Sequence, residues 1–152
     1  KLLAMDDSRM VNTLEVNLLG VARTMRAFLP GMLQAHQGHF IATASVAGEI
    51  AGPTGADYAM TKSGVLGLCE AARRELYGSG VRVSAILPGF IDTPMTHGHV
   101  PIRMPGPEIV ARACVRLLRH PRPRLVVPGW YRPLIFLNRA LPALADRLTR
   151  RL

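Results

Sequence analysis

Short apolar runs that alternate with long helical segments constrain the fold of this chain most. Residues 39–45, 81–87 and 124–127 are apolar or β-branched for most of their length, and a loop or a Pro-Gly turn follows each run. In the segments between them, apolar residues recur at spacings of three and four, as on one face of a helix. Near-continuous apolar strands joined by helices are typical of a parallel sheet covered on its faces. We therefore predict an α/β fold with a doubly wound parallel sheet and flanking helices.

Three helices are predicted around these strands. Acidic and hydroxyl side chains at residues 6–8 cap the first helix, which Pro30 bends or ends. The second helix covers residues 55–77 and closes at a Gly-Ser-Gly turn, and the third covers residues 108–119. Because the carboxyl ends of parallel strands share one edge of the sheet, the residues that follow the strands are expected to converge there.

The last third of the chain differs from the rest in charge and pattern. Residues 1–101 have no net charge, whereas residues 102–152 hold eleven arginines and two acidic residues and so carry the whole excess of +9. We predict a sheet-containing part at residues 1–128 and a basic, amphipathic helical tail at residues 129–152, which Pro142 bends or divides. The apolar stripe of this tail comprises Leu134, Leu137, Leu141, Leu144, Leu148 and Leu152.

The pattern of the tail leaves two kinds of partner open. A leucine stripe packs on its own domain or on a second subunit, so a homo-oligomer is expected. A basic amphipathic helix that begins beside Trp130 can instead lie on an anionic membrane. Nucleic acid is not expected, because aromatic residues do not alternate with the arginines. Two cysteines in helix-like segments and the lack of a membrane-spanning stretch favour a cytoplasmic location, with or without peripheral membrane contact.

Lysine is rare in this chain, and its single internal occurrence is informative. Of nineteen basic residues only Lys1 and Lys62 are lysine, and arginine does not replace a compact ammonium group. Lys62 follows Tyr58 by four residues, which places both side chains on one face of a helix. Free tyrosine ionises near pH 10, so a phenol that exchanges protons near neutral pH needs roughly 4 kcal/mol of stabilisation from positive charge nearby. The alternative is a solvated lysine beside an ordinary helix tyrosine.

Two further polar side chains accompany this pair. Ser45 ends the first strand thirteen residues before Tyr58, and its hydroxyl can polarise a carbonyl oxygen beside the phenol. A serine nucleophile is not expected, because neither a histidine nor a Gly-x-Ser-x-Gly turn accompanies Ser45. Asn17 lies on the apolar side of the first helix, where a buried amide needs a partner such as a relay water. The structural alternatives are an ordinary loop serine and a helix-packing asparagine.

Four ordered motifs resemble the C-terminal portion of the short-chain dehydrogenase/reductase family. They are Val16-Asn17-Leu-Leu-Gly20, Ser45-Val-Ala-Gly48, Tyr58-Ala-Met-Thr-Lys62 and Pro88-Gly-Phe-Ile-Asp-Thr-Pro94. The resemblance implies a partial Rossmann-like sheet and hydride transfer between NAD or NADP and an alcohol or carbonyl substrate. The sequence does not reveal the substrate, although its apolar character favours a hydrophobic alcohol or ketone.

The resemblance also implies a role for each matching residue. Tyr58 would be the general acid/base and Ser45 would orient the substrate carbonyl. Lys62 would bind the nicotinamide ribose and favour the phenolate, and Asn17 would hold the water of a proton relay. Four residues that follow the second strand would border the nicotinamide: Pro88, Gly89, Ile91 and Thr93.

The cofactor-anchoring motifs of the family have no counterpart in this sequence. Family members carry a Gly-rich dinucleotide loop before the first helix seen here, whereas no Gly-x-x-x-Gly-x-Gly segment occurs in these residues. We therefore expect a fragment of a longer protein, inactive alone and with an exposed edge on its first strand. The alternative is a non-catalytic interaction or membrane-surface module. No metal site is expected, since His97 and His99 lack a third ligand, and Asp57 is expected to be solvated.

Overall fold

Strands and helices alternate along the chain in the order that the sequence pattern predicts. The structure is a computed structural model that describes residues 1–96 and 104–149, and the side chains of all of these except 148 and 149. The regular elements are α1 (Asp7–Leu14), α2 (Gly20–Gln34), β1 (Gly38–Thr43), α3 (Ala56–Glu75), β2 (Val81–Pro88), α4 (Glu108–Arg119), β3 (Arg124–Val127), α5 (Tyr131–Ala140) and α6 (Pro142–Thr149). A π-helical turn, Glu15–Leu19, joins α1 to α2.

The three strands form one parallel sheet in the order β1-β2-β3. β1 pairs with β2 from Gly38 opposite Val81 to Thr43 opposite Ile86. β2 pairs with β3 from Ala85 opposite Arg124. Each predicted strand is confirmed, and α4 and β3 have the predicted bounds. Because β1 has a neighbour on one side only, it is an edge strand of the described sheet, as expected.

Each face of the sheet carries its own apolar core. On one face, alternate residues of β2, including Val83 and Leu87, pack with residues of α2 and α3 such as Met25 and Val65. On the other face, Ile86 packs with residues of α4 and β3. Because successive side chains of a strand point to opposite faces of the sheet, β2 contributes residues to both cores. Helices cover both faces of a parallel sheet, which confirms the predicted doubly wound α/β fold.

Pro30 does not end the first helical region, which continues to Gln34. A proline inside a helix removes one backbone hydrogen bond and crowds the preceding turn. Pro30 lies on the exposed side of α2, where water can satisfy the carbonyl that loses its partner. The helix closes instead at His36, whose φ of 49° is in the left-handed region.

The C-terminal tail divides into two helices at Leu141-Pro142, as Pro142 predicts. α5 is attached to the rest of the chain by polar contacts, since Asn138 Nδ2 donates to the carbonyl oxygen of Glu49 at 3.0 Å. The division into residues 1–128 and 129–152 stays a prediction. Leu152 and the side chain of Leu148, both part of the predicted stripe, lie outside the described residues. No helix in the described part of the chain is long and apolar enough to cross a membrane.

Candidate active site

Ser45 lies where the carboxyl ends of β1 and β2 meet. It is buried and caps a short 3-10 turn, Val46–Gly48, because the Ala47 N–H donates to its Oγ at 3.1 Å. The Ser45 Oγ itself donates to the carbonyl oxygen of Pro88 across a long 3.4 Å. The sequence prediction that residues following the strands converge at this edge is therefore met for Ser45 and Pro88.

Tyr58 and Lys62 lie one turn apart on the same face of α3. The Lys62 Nζ is 5.5 Å from the centroid of the Tyr58 ring, and it donates to the carbonyl oxygen of Thr43 at 3.1 Å. Thr43 is the last residue of β1, so the ammonium group joins α3 to the strand end that carries Ser45. Both side chains are half-buried. Burial lowers the pKa of Lys62, because removal of water disfavours the charged form.

Gly48 allows the loop after Ser45 to lie directly on α3. A Cβ at Gly48 would stand 2.8 Å from the backbone carbon of Lys62, so any larger residue would push the loop away. Ser63 Oγ donates to the Gly48 carbonyl oxygen at 2.7 Å and closes the same contact. Backbone packing and one hydrogen bond thus fix the Ser45 loop against the turn of α3 that holds Lys62. Ser63 was not among the predicted site residues.

Asn17 lies in the π-helical turn and not on a regular helix face, which corrects the predicted setting of this residue. The extra residue of a π turn changes the direction of the side chains that follow, and such turns are frequent at functional sites. The turn packs against α3 close to Lys62, since a Cβ at Gly64 would stand 2.9 Å from Leu18. Asn17 is half-buried. Its role as a water holder stays a prediction.

The segment after β2 is fixed by a residue that the sequence analysis did not single out. A Cβ at Gly89 would overlap the ring of Tyr131, and the Phe90 N–H donates to the Tyr131 Oη at 3.3 Å. Gly89 is therefore required for this packing, whatever else it contacts. Ile91 is buried, and the Thr93 N–H donates to Thr96 Oγ1 at 3.1 Å. The predicted cofactor contacts of Pro88, Gly89, Ile91 and Thr93 stay predictions.

Asp57 is buried and paired, so the expectation that it is solvated is wrong. Its side chain accepts a hydrogen bond from Arg9 Nε at 3.1 Å, which ties α1 to the first turn of α3. Burial alone would raise the pKa of Asp57. The N–H of Tyr58 and the Arg9 guanidinium outweigh that effect, and the pKa lies below its usual value. No local pattern in the sequence indicates this pair, because its partners lie on different helices.

Glu49 is the second buried carboxylate that the sequence analysis missed. It follows the Ser45 loop directly, and its side chain is 7% exposed. One carboxylate oxygen accepts from Arg124 at 2.6 Å and the other from Arg139 at 2.5 Å. Arg124 also contacts Glu70 at 3.0 Å. The loop that begins at Ser45 is therefore linked to both β3 and α5 by charge.

No group of three or more His, Cys, Asp or Glu side chains within residues 1–96 and 104–149 could hold a metal ion. His97 and His99, the two histidines considered from the sequence, lie outside the described residues.

Comparison with known proteins decides the family. A family model described as short chain dehydrogenase matches residues 1–101. The chain belongs to the short-chain dehydrogenase/reductase family. The resemblance inferred from the four sequence motifs is thus confirmed for the part of the chain that contains Asn17, Ser45, Tyr58 and Lys62.

Curated relatives match part of this short-chain dehydrogenase/reductase chain. An acetoacetyl-CoA reductase of Synechocystis is 42% identical over 83 residues, which are 55% of this chain and 35% of that protein. A 3-oxoacyl-[acyl-carrier-protein] reductase of Staphylococcus aureus is 38% identical over 95 residues, or 62% of this chain and 39% of that protein. The matched region thus spans well under half the length of these two relatives.

Solved structures of the family have the same fold over a longer stretch. A short chain dehydrogenase from Burkholderia cenocepacia, in complex with NADP, superposes with a TM-score of 0.86 at 27% identity and covers 96% of this chain and 61% of that one. A 3-oxoacyl-[acyl-carrier protein] reductase from Brucella melitensis with bound NAD has a TM-score of 0.73 at 31% identity, covering 82% and 52%. Both nicotinamide cofactors therefore occur among the neighbours of this fold.

Proposed function

We propose that this chain forms the catalytic part of an NAD(P)-dependent oxidoreductase that interconverts an alcohol and a carbonyl compound. The observation that carries the proposal is the Lys62 ammonium group beside the Tyr58 ring and bonded to the end of β1. A phenol and an ammonium group, half-buried at the carboxyl edge of a parallel sheet, suit proton exchange with a substrate held there.

The protein groups would act on the substrate oxygen. Tyr58 gives a proton to the developing alkoxide in the reduction and takes the hydroxyl proton in the oxidation. Ser45 donates a hydrogen bond to the same oxygen. Its present acceptor, the carbonyl of Pro88, lies 3.4 Å away, which is long for a hydroxyl donor. The hydroxyl group can therefore turn to a substrate at little cost.

Lys62 has the donors that a nicotinamide ribose requires. An ammonium group has three N–H donors, and one of them is used by the Thr43 carbonyl. Two donors remain for ribose hydroxyls, so the side chain fits the cofactor of the family. A bound nicotinamide supplies or accepts the hydride. The sheet edge near Pro88, Ile91 and Thr93 would border its ring, whereas Tyr131 already covers one side of Gly89.

The proposed substrate is a small ketone or the matching alcohol, of hydrophobic character. Two relatives are named as reductases of acetoacetyl and 3-oxoacyl thioesters, and both of these groups contain a ketone.

A second copy of the chain is the proposed protein partner, because Val16 and Phe28 leave apolar surface exposed on the first helical region. The choice between NAD and NADP stays open, since neighbours hold either one.

The test is Tyr58→Phe in the full-length enzyme, with acetoacetyl-CoA and each reduced nicotinamide cofactor as probes. General acid–base catalysis contributes about 100-fold to 10,000-fold, so turnover should fall by about two orders of magnitude or more while cofactor affinity persists. Tyr77→Phe is the matched control, because Tyr77 is 90% exposed and lies two residues beyond the C-terminal end of α3. Turnover of Tyr58→Phe within about twofold of the wild type would reject the assignment and favour the non-catalytic module.

We also propose that residues 1–152 alone bind dinucleotides weakly or not at all. Their sequence contains no Gly-x-x-x-Gly-x-Gly segment of the kind that forms a pyrophosphate-binding turn before a helix. Titration calorimetry of the 152-residue chain with NADH and NADPH measures this directly. A micromolar affinity for either cofactor would contradict the proposal.

A further inference from the structure

The outward side of α5 is apolar along its whole length. Helical spacing places six residues on one continuous side of this helix, called here the apolar face of α5: Trp130, Pro133, Leu134, Phe136, Leu137 and Ala140. Trp130 is 63% exposed, Leu134 49% and Phe136 73%, whereas Leu137 is half-buried. The opposite side, with Ile135 and Asn138, is half-buried. The amphipathic helix α5 therefore directs its more apolar side away from the sheet and the other helices.

Polar contacts hold α5 in this orientation. Arg139 and Asn138 bind the side chain and the backbone carbonyl of Glu49, and Tyr131 Oη accepts from the Phe90 N–H. These contacts arise from both ends of the helix and from its inner side. Rotation of the apolar face toward the body would break all three, so the outward orientation is built into the fold.

The apolar surface continues into α6. Leu141 is 54% exposed and Leu144 44% exposed, whereas Ala145 is buried. Single exposed apolar residues are ordinary on protein surfaces, but a contiguous apolar patch marks an interaction site. The patch on α5 and α6 therefore needs a covering partner.

Arginines accompany this patch on both helices. Arg132 lies one turn before Phe136 on α5, and Arg147 is exposed on α6. Neither forms an ion pair with another described residue, whereas Arg124 and Arg139 are neutralised by Glu49 and Glu70. Residues 129–152 carry five arginines against one acidic residue, Asp146, which is exposed beside Arg147.

This charge discriminates between two kinds of partner. A symmetric pair of copies would bring together two surfaces of the same net positive charge. An anionic lipid surface offers the opposite charge around an apolar interior, and a tryptophan beside such a helix suits the boundary between headgroups and acyl chains. The geometry points to an anionic membrane surface as the occupant of the apolar face of α5. This inference does not depend on the proposed oxidoreductase activity.

The experiment is co-flotation of the 152-residue chain with vesicles. Phosphatidylcholine vesicles with and without phosphatidylglycerol are compared at low and high salt. The wild type should float with the anionic vesicles, and added salt should weaken the binding because it screens the arginines. Phe136→Asp should lower the bound fraction about tenfold, since it removes an aromatic group and adds a repelled charge.

Tyr77→Asp is the matched control, because it replaces an aromatic residue that is even more exposed, on another surface, and changes the net charge equally. It should float almost as the wild type does. Circular dichroism establishes that both variants are folded. Absence of flotation with anionic vesicles, or equal flotation of Phe136→Asp and wild type, overturns the inference. A dimer that Phe136→Asp dissociates, seen by light scattering without vesicle binding, would assign the face to a second copy instead.

Discussion

Glu49→Gln is expected to lower the free energy of unfolding by about 2 kcal/mol and to loosen α5 from the Ser45 loop. The Glu49 carboxylate is 7% exposed and accepts from two guanidinium groups, those of Arg124 and Arg139. Glutamine keeps the shape of the side chain and one acceptor oxygen, but it loses the charge and one of the two bonds.

The magnitude follows from the exposure of the two partners. A hydrogen bond to a charged group contributes about 1.5–3 kcal/mol when it is shielded from water, and the Arg124 side chain is 33% exposed. The Arg139 side chain is 60% exposed, so that pair adds no more than about 1 kcal/mol. Arg124 keeps Glu70 as a partner at 3.0 Å. No buried charge is left alone, and the larger penalty of about 3–5 kcal/mol does not apply.

Urea unfolding followed by tryptophan fluorescence measures this loss of stability with a probe next to α5. Trp130 is the only tryptophan of the chain and directly precedes α5. Arg139→Gln is the matched control and should cost less than about 1 kcal/mol, because its pair with Glu49 is exposed. The reasoning is refuted if Glu49→Gln is as stable as the wild type, or if Arg139→Gln is equally destabilising.

Two further predictions concern titratable groups. Burial, aided by the charge of Arg82, lowers the pKa of His39 from its ordinary value of 6.5. The unfolded chain therefore takes up a proton first as pH falls, and stability should decline as pH falls below about 7. His39→Gln should flatten this slope, and parallel slopes for the variant and the wild type would contradict the prediction. Burial raises the pKa of the Cys69 thiol to about 11. A thiol reagent should therefore modify the half-buried Cys114 in the folded chain and Cys69 only after unfolding. Equal modification rates for the two cysteines in the folded chain would contradict this prediction.

Short-range signals in the sequence were sufficient to predict the strands of the sheet and the helices that flank it. The bounds of α4 and β3 follow from prolines and from apolar spacing within a few residues. Tyr58 and Lys62 share a face because a four-residue separation is a property of any helix. Pro142 likewise divides the tail by its own backbone restriction. Each of these features depends on residues that are neighbours in the chain.

Features that depend on distant partners could not be predicted. Asp57 is buried because Arg9 reaches it from another helix, forty-eight residues earlier. Glu49 binds arginines that lie 75 and 90 residues further along. Gly89 has to be small because Tyr131 packs on it. No periodicity or motif encodes such pairs, since they exist only once the sheet has brought its edges together.

The sequence by itself determined the α/β class, the order of the elements and the residue types available at the sheet edge, because backbone propensity and apolar spacing act over one or two turns. The tertiary structure alone decided how the Ser45 loop is held, through Gly48 on α3 and Glu49 on two arginines. It also decided that α5 turns its apolar face outward. A helical pattern establishes that a helix has two sides, but only the contacts of Tyr131, Asn138 and Arg139 fix which side meets the body.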